Sequence, residues 1–424
     1  MDNFLDKIFF RSRNLDYISQ NLINLTHQTP AKRIFEAINT YSENSEVRYV
    51  GGCVRKIIKK EIVDDIDLAT NLKPSEVCDA LKKQDINYYE TGIEHGTITA
   101  IIDDYKYEIT SLRKDVSTDG RHAKVEFSSD WKEDAARRDF SINSIYSDKD
   151  GNLFDPYNGK KDLESGKINF IGDSENRIKE DYLRILRYVR FFINYSNQSH
   201  DINIIKKIKK NIGGVSKLSS ERLLDEFKKL TRSNAFLKIF NDEISLELIE
   251  IIFPQLKNLE NFKKLNSYAL DNLSKVDFIF LLSLLIIDGT DNTDYFFYKF
   301  NISKKDQKRL KSIDSFYKEN VTIKNFNKKN FNKILYYNGK QAVFDIINYK
   351  LFISPKVEKK LLKLIESYKD KVVPNLPIDA NMLMTKYNIP EGKTLGNKLK
   401  LIEETWVDNK FQISDKQIQK IIKS

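Results

Sequence analysis

Apolar positions along this chain keep two different periods, and the change from one to the other falls near residue 171. Before it, short runs alternate apolar and polar residues every second position, the period of a half-buried strand. A strand before Gly51-Gly52, a second strand carrying Asp65-Ile66-Asp67, and INYYETG (86–92), GTITAIID (96–103) and YKYEITSLR (105–113) read this way, with Asp103-Asp104 as the turn between the last two. Helical stretches are expected at 31–41, in a short basic segment after Gly51-Gly52, and over KPSEVCDALKKQ (73–84), which carries Pro74 in its first turn. Residues 1–30 read as a polar lead-in with room for a short helix, ending at Pro30. Residues 114–130 are polar, glycine-containing and weakly periodic, which predicts a mobile loop, and strand and turn chemistry returns through NLFDPYNGKKDL (152–163). From Ser174 onward the spacing becomes three-to-four. RIKEDYLRILRYVRFFINY (177–195) reads as one helix with arginines on one face, and SSERLLDEFKKL (219–230) as a helix started by Ser219 or Ser220 ahead of Glu221. Strands followed by an unbroken run of helices predict an α+β chain.

Composition bounds what this pattern can be. At 424 residues two to four units are expected; the clearest boundary lies near 171, with further divisions placed near 235 and 330. Hydrophobic residues make up 40%, enough for real cores, and the formal charge of +10 favours an anionic partner, nucleic acid before a membrane surface. No apolar run reaches the length of a membrane span; the longest, VDFIFLLSLLII (276–287), has the length of a buried helix. The N-terminus lacks the apolar core and small-residue cleavage site of a signal peptide, and two cysteines, Cys53 and Cys78, make no disulfide framework. A cytoplasmic protein is the expectation.

The chemistry concentrates in Val47–Thr70. On an extended strand Asp65 and Asp67 point to one face while Ile66 and Leu68 point to the core. Two carboxylates held side by side repel unless a cation sits between them, and hard oxygen ligands favour Mg²⁺. Gly51 and Gly52 let backbone N–H groups approach a phosphate just before a helix. Glu108, on a strand between apolar neighbours, is the candidate third carboxylate, preferred over Asp103 and Asp104 in their turn. In WKEDAARRDFSIN (131–143), Arg138 and its neighbour Arg137 offer guanidinium forks to phosphate, while Asp139 can hold an arginine or accept from a ribose hydroxyl; taken alone, such a triplet is an ordinary surface ion pair. In EDYLRILRYVR (180–190), Asp181 and Arg184 are expected to be neighbours on a helix, with Arg187 and Arg190 continuing the row. A carboxylate accepting from an exocyclic amino group beside a guanidinium donating to a ring nitrogen selects C and A, and leaves U and G with unpaired groups.

These segments, in this order, resemble the class II tRNA nucleotidyltransferases, which comprise CCA-adding enzymes and bacterial poly(A) polymerases within the DNA polymerase beta superfamily. The resemblance spans roughly 47–227, and the segment LPIDANMLMTKYNIPEGKTLGNKLKLIEETW (376–406) also looks like the tail of bacterial CCA-adding enzymes. It implies a small mixed-sheet nucleotidyltransferase head (31–171), a helical neck that selects the nucleotide (172–234), a helical body (235–330) and a tRNA-binding tail (331–424). It implies Asp65 and Asp67 as Mg²⁺ ligands, Gly52 and Arg55 at the triphosphate, and Arg138 with Asp139 at phosphates or ribose. Asp181 and Arg184 are implied as the amino-acid template for CTP and ATP, supported by Arg187 and Arg190, with Gly392 and Gly396 near tRNA phosphates. The loop at 114–130 falls where the family carries a flexible loop linked to the switch from C to A. Lys56 and Ala380 depart from the family pattern, where Asp and Gly are usual. Four histidines, His27, His95, His122 and His200, are too few and too scattered for the metal phosphohydrolase domain of some relatives. YETGIEHGTITAII (89–102) lacks the basic segment typical of poly(A) polymerases, so CCA addition to tRNA is preferred to poly(A) or partial addition, and to a non-catalytic tRNA-binding role.

Overall fold

The computed structural model describes residues 17–119, 122–233, 235–319 and 326–423. The chain divides into two compact units, 1–227 and 228–424. The first sixteen residues of the lead-in lie outside the described part; the short helix foreseen before Pro30 is α1, 17–28.

In the first unit α1 is followed by α2 (Ala31–Asn39), β1 (Val47–Val50), α3 (Gly52–Ile58), β2 (Ile66–Thr70), α4 (Pro74–Lys83), β3 (Asn87–Gly92), β4 (Thr97–Ile102) and β5 (Tyr105–Ser111). The foreseen strands all form; β5 alternates buried and outward positions, whereas β1, β2 and β4, inside the sheet, are buried over most of their length. Two short strands, β8 (Tyr146–Ser147) and β9 (Leu153–Phe154), complete a seven-stranded sheet in the order β3-β4-β5-β2-β1-β8-β9. It is mixed: β2 and β5 run parallel and their neighbours pair antiparallel. That parallel pairing puts Asp67 directly opposite Glu108. Ile34, Phe35, Tyr49, Val54, Leu68 and Ile109 belong to the core under one face.

Between β5 and β8 the chain departs from its forecast. Instead of a loop, 114–130 lies mostly in a two-stranded antiparallel ribbon, β6 (Arg113–Asp119) with β7 (His122–Phe127), whose tip at 120–121 lies outside the described residues. Weak alternation hid it, because a two-stranded ribbon buries too little on either face to print a period-two pattern. Asp130 then caps α5 (Trp131–Arg137), accepting from Lys132 N at 2.7 Å.

The helical part of this unit comprises α6 (Gly159–Ser165), α7 (Ser174–Glu180), α8 (Leu183–Tyr195), α9 (Ile202–Asn211) and the start of α10 (Ser220–Thr231). The single helix expected over 177–195 is two. Asp181 takes an extended backbone (φ −152°, ψ 104°), and its carboxylate accepts from Leu183 N at 3.1 Å, opening α8 instead of prolonging α7. A short acidic side chain that competes for backbone donors ends one helix and starts another.

The second unit is helical throughout its described residues. α11 (Glu243–Ile252), α12 (Ser267–Asn272), α13 (Phe278–Ile286), α14 (Asn292–Phe300), α15 (Lys304–Lys318) and α16 (Lys328–Ile353) come first, α16 being kinked at Gly339 (φ 84°, ψ 172°). α17 (Lys359–Lys369), α18 (Ala380–Tyr387), α19 (Lys393–Asp408) and α20 (Asp415–Lys423) follow, the last three around a small core of Ile378, Leu383, Ile389, Leu395, Ile402 and Ile418. The apolar run 276–287 is α13 with its ends, almost wholly buried. Among the described residues no helix is long and apolar enough to cross a membrane.

Candidate active site

β1 delivers the chain to Gly51, whose backbone (φ 67°, ψ −112°) lies where a side chain is strained, and α3 starts at Gly52. This turn is packed on three sides by candidate residues. A Cβ on Gly51 would lie 3.7 Å from Arg138 Nη1 and 3.6 Å from the Asn143 carbonyl; one on Gly52 would lie 4.0 Å from both Arg55 Nη2 and Asp67 Oδ2. Two glycines therefore keep a phosphate-sized approach open between two guanidiniums and a carboxylate.

Asp67 sits on β2, partly buried, while Asp65 is exposed one residue ahead of the strand. Burial and the nearby Asp65 and Glu108 carboxylates push the Asp67 carboxyl up to about 6, against the opposing pull of Arg138 and Arg55. A carboxyl raised by its own neighbours is one that a cation would relieve, so Asp65 and Asp67 suit a hard divalent ion. Glu108, although in register with Asp67, is exposed and engages Lys106 at 3.4 Å. Among the described residues no three acidic, histidine or cysteine side chains converge as a ligand group.

Arg138 and Asp139 are not a solvated surface pair. Asp134, 1% exposed, binds Arg137 at 2.6 Å and Arg138 at 3.1 Å, and accepts from the Tyr146 hydroxyl at 2.7 Å. Burial raises the Asp134 carboxyl, but the Arg138 and Arg137 charges and the Tyr146 hydrogen bond outweigh it and hold it near 2. Asp139 is buried, yet Arg187 at 2.6 Å and the Asn143 amide at 2.8 Å keep it well below the usual carboxylate range. Of the two roles foreseen for Asp139, holding an arginine is the one its contacts show.

Asn143 links these groups. Its amide donates to Asp139, its side-chain oxygen accepts from Arg55 Nη1, and its carbonyl accepts from Arg138 Nη1 at 3.4 Å. Arg55 is buried, with Nε lacking a partner, and its guanidinium stacks on Phe191 (4.9 Å) and Tyr195 (5.2 Å). Arg187 and Arg190 lie 5.3 and 4.2 Å from the same Phe191 ring. Three guanidiniums around one ring concentrate positive charge on the side of α3 nearest the Gly51-Gly52 turn. Glu226, 2% exposed on α10, steadies two of them, Arg190 at 2.5 Å and Arg187 at 3.8 Å. Burial nonetheless lowers the Arg190 pKa despite Glu226.

Asp181 and Arg184 are not side-chain partners, as one helix would have made them. Asp181 binds Arg222 at 2.7 Å; Arg184 donates to Glu180 at 2.6 Å and to the Arg177 carbonyl at 2.7 Å. Their link is through the backbone, Arg184 N to Asp181 O at 3.0 Å. Lys56, where the resemblance calls for Asp, pairs with Asp64 at the far end of α3. In the second unit Gly392 (φ 143°) caps α19 and Gly396 lies in its first turn, with nothing within 4 Å of either Cβ position; Ala380 opens α18 behind its cap Asp379.

Asn143, Phe191, Asp134, Tyr146, Glu226 and Arg222 carry much of this site and were not singled out from sequence. Five of them fall inside or beside segments already marked (131–143, 180–190, 219–230), so their signal was proximity to a motif; Tyr146 lies outside all three.

Comparison with known proteins finds two family matches in this chain. Residues 47–169 match the family described as poly A polymerase head domain, and 201–260 the probable RNA and SrmB-binding site of polymerase A. The chain is 32% identical over 398 residues to the mitochondrial CCA tRNA nucleotidyltransferase 1 of Homo sapiens, covering 90% of this chain and 87% of that one. It is 28% identical over 388 residues to the CCA-adding enzyme of Bacillus subtilis, covering 89% and 93%. Its fold is similar to that of the Bacillus stearothermophilus CCA-adding enzyme solved in complex with CTP (TM-score 0.70, 20% identity, 92% and 95% covered).

Proposed function

The chain belongs to the CCA tRNA nucleotidyltransferase family, and from that premise we propose how its residues divide the work. It adds the 3′-terminal C, C and A to tRNA from CTP and ATP, without a nucleic-acid template. The observation that carries the residue assignment is the Gly51-Gly52 turn, with Arg138 beside Gly51 and both Arg55 and Asp67 beside Gly52.

The reaction needs a divalent metal; we assign it as Mg²⁺, held by Asp65 and Asp67. When bound, it supplies a Lewis acid that lowers the pKa of the primer 3′-hydroxyl and offsets charge on the α-phosphate and departing pyrophosphate. The 3′-oxygen attacks in line, a new O–P bond forms as the α–β bridge breaks, and no covalent enzyme intermediate is required. Backbone N–H groups at Gly51 and Gly52, with Arg55 and Arg138, receive the triphosphate. Asp139 holds Arg187 through one carboxylate oxygen and accepts from Asn143 and Phe140 N through the other. Glu108 is kept as the third carboxylate, free to turn from Lys106 toward Asp67 across one strand spacing.

Asp181 and Arg184 read the base edge. In the nucleotide-free chain each is satisfied by its own partner, Arg222 or Glu180, so base binding is an exchange of hydrogen bonds rather than a first pairing. Gly392 and Gly396 offer backbone to tRNA phosphate. The head, neck, body and tail divide near 171, 234 and 330. Two buried free thiols, Cys53 and Cys78, fit the cytoplasmic setting proposed for the chain.

Asp65→Ala and Asp67→Ala should each abolish nucleotide transfer while tRNA binding, followed by anisotropy of labelled tRNA, survives. Normal turnover of either variant in Mg²⁺ would sink the metal assignment.

A further inference from the structure

Arg137 and Arg138 lie at the end of α5, where the last carbonyls of a helix have no partner within it. A guanidinium from another helix takes them. Arg177, in the middle of α7 and only 11% exposed, donates through Nη2 to the carbonyls of both Arg137 and Arg138. The side chains of the same two residues are held by Asp134. The pair is thus fixed at both ends, by a carboxylate on its side chains and by a guanidinium on its backbone.

The other terminal nitrogen of Arg177 donates to Glu180 Oε2 at 2.5 Å, and the same oxygen accepts from Arg184 Nη1 at 2.6 Å. Arg184, 9% exposed, also donates to the Arg177 carbonyl at 2.7 Å and lies 3.5 Å from the Arg137 carbonyl. One carboxylate oxygen therefore carries two guanidiniums. The first grips the backbone of Arg137 and Arg138; the second is the one assigned to the base. When Arg184 exchanges Glu180 for a base edge, Arg177 is what remains on a carboxylate only 31% exposed. Leaving such a group with no charged donor costs far more than leaving it with one.

We infer that Arg177 is a positioning residue for base selection: it keeps Glu180 paired, and the Arg137–Arg138 backbone in place, while Arg184 leaves for the base. The inference rests on the reading of Arg184 as a base-edge donor. Arg177 then serves only the nucleotides that draw Arg184 away, CTP and ATP. UTP and GTP offer an N–H where Arg184 needs an acceptor, so they gain nothing from it. An arginine with a purely structural role would serve all four alike.

The test measures single-nucleotide addition to tRNA acceptors with each of the four triphosphates, for wild type, Arg177→Gln, Arg177→Lys and Arg177→Gln/Glu180→Gln. Arg177→Gln should lower kcat/KM for CTP and ATP about tenfold and leave UTP and GTP within about twofold, so that discrimination narrows. Arg177→Lys, which keeps the charge but not the fork that spans Glu180 and two carbonyls, should fall between; it carries the same comparison should Arg177→Gln not fold. Adding Glu180→Gln removes the charge that needs Arg177, and should recover part of the loss rather than deepen it. An equal fall for all four triphosphates, discrimination at the wild-type level in both single variants, or strictly additive losses in the double variant would overturn the inference. Wild-type chain that adds all four nucleotides alike would refute the base-edge role of Arg184 itself, and this inference with it; a discriminating wild type beside equally discriminating variants refutes the role of Arg177 alone.

Discussion

Asp134 is the residue that holds both Arg137 and Arg138. Its two oxygens and Tyr146 fix both Arg137 and Arg138. Its carboxyl is held at about 2 against an ordinary 3.8, a difference of about 2 kcal/mol in favour of the fold. Because the folded value is depressed, that contribution is fully present above pH ~4 and is lost as pH falls through about 2. Asp134→Asn should therefore lower stability to urea by about 2 kcal/mol at pH 7, and the gap to wild type should close on approaching pH 2. A gap independent of pH would mean that Asp134 contributes packing and not charge. At this scale the sequence was legible where chemistry and spacing coincide. Gly51, Gly52, Asp67, Arg55 and Arg138 do gather at one turn. Asn143 was not legible, since an amide that joins Asp139 and Arg55, with its backbone carbonyl on Arg138, looks in sequence like any polar residue.

At the scale of elements, the strands were read well because short apolar, β-branched and aromatic runs are bounded by turn residues, even where both faces are buried. Helix continuity was read less well. Apolar spacing carries through the junction of α7 and α8 without a break, and only the backbone of Asp181 marks the stop. The break takes Asp181 out of the helix, where Arg222 on α10 binds it, while Arg184 on α8 binds Glu180 at the end of α7. Asp181→Ala and Arg184→Ala should each relax discrimination against UTP and GTP by about 10- to 100-fold, corresponding to one or two lost hydrogen bonds to the base edge. Single-nucleotide incorporation with each of the four triphosphates measures this; full discrimination in both variants would remove the template role. The ribbon β6–β7 was missed for the opposite reason, since its strands form without a hydrophobic face to announce them.

Over the whole molecule, formal charge was read correctly in sum but not in place. The surplus of +10 predicted an anionic partner, yet it belongs to residues 228–424, while the unit holding Asp65 and Asp67 carries a slight acidic excess. Positive charge near the chemistry is instead local, in the guanidiniums of Arg55, Arg187 and Arg190 around Phe191. The long, basic helical unit suits a partner that must be held along its backbone, and the compact guanidinium cluster suits a triphosphate.

The measurement closest to the centre of this account is product sizing. The chain is incubated in Mg²⁺ with tRNA lacking its 3′ CCA, and with CTP, ATP or both, and the products are resolved at single-nucleotide length. The account predicts a two-nucleotide stop with CTP alone and a three-nucleotide stop with both triphosphates, each lost in Asp67→Ala. A long A tail, or no extension by the wild-type chain, would contradict it.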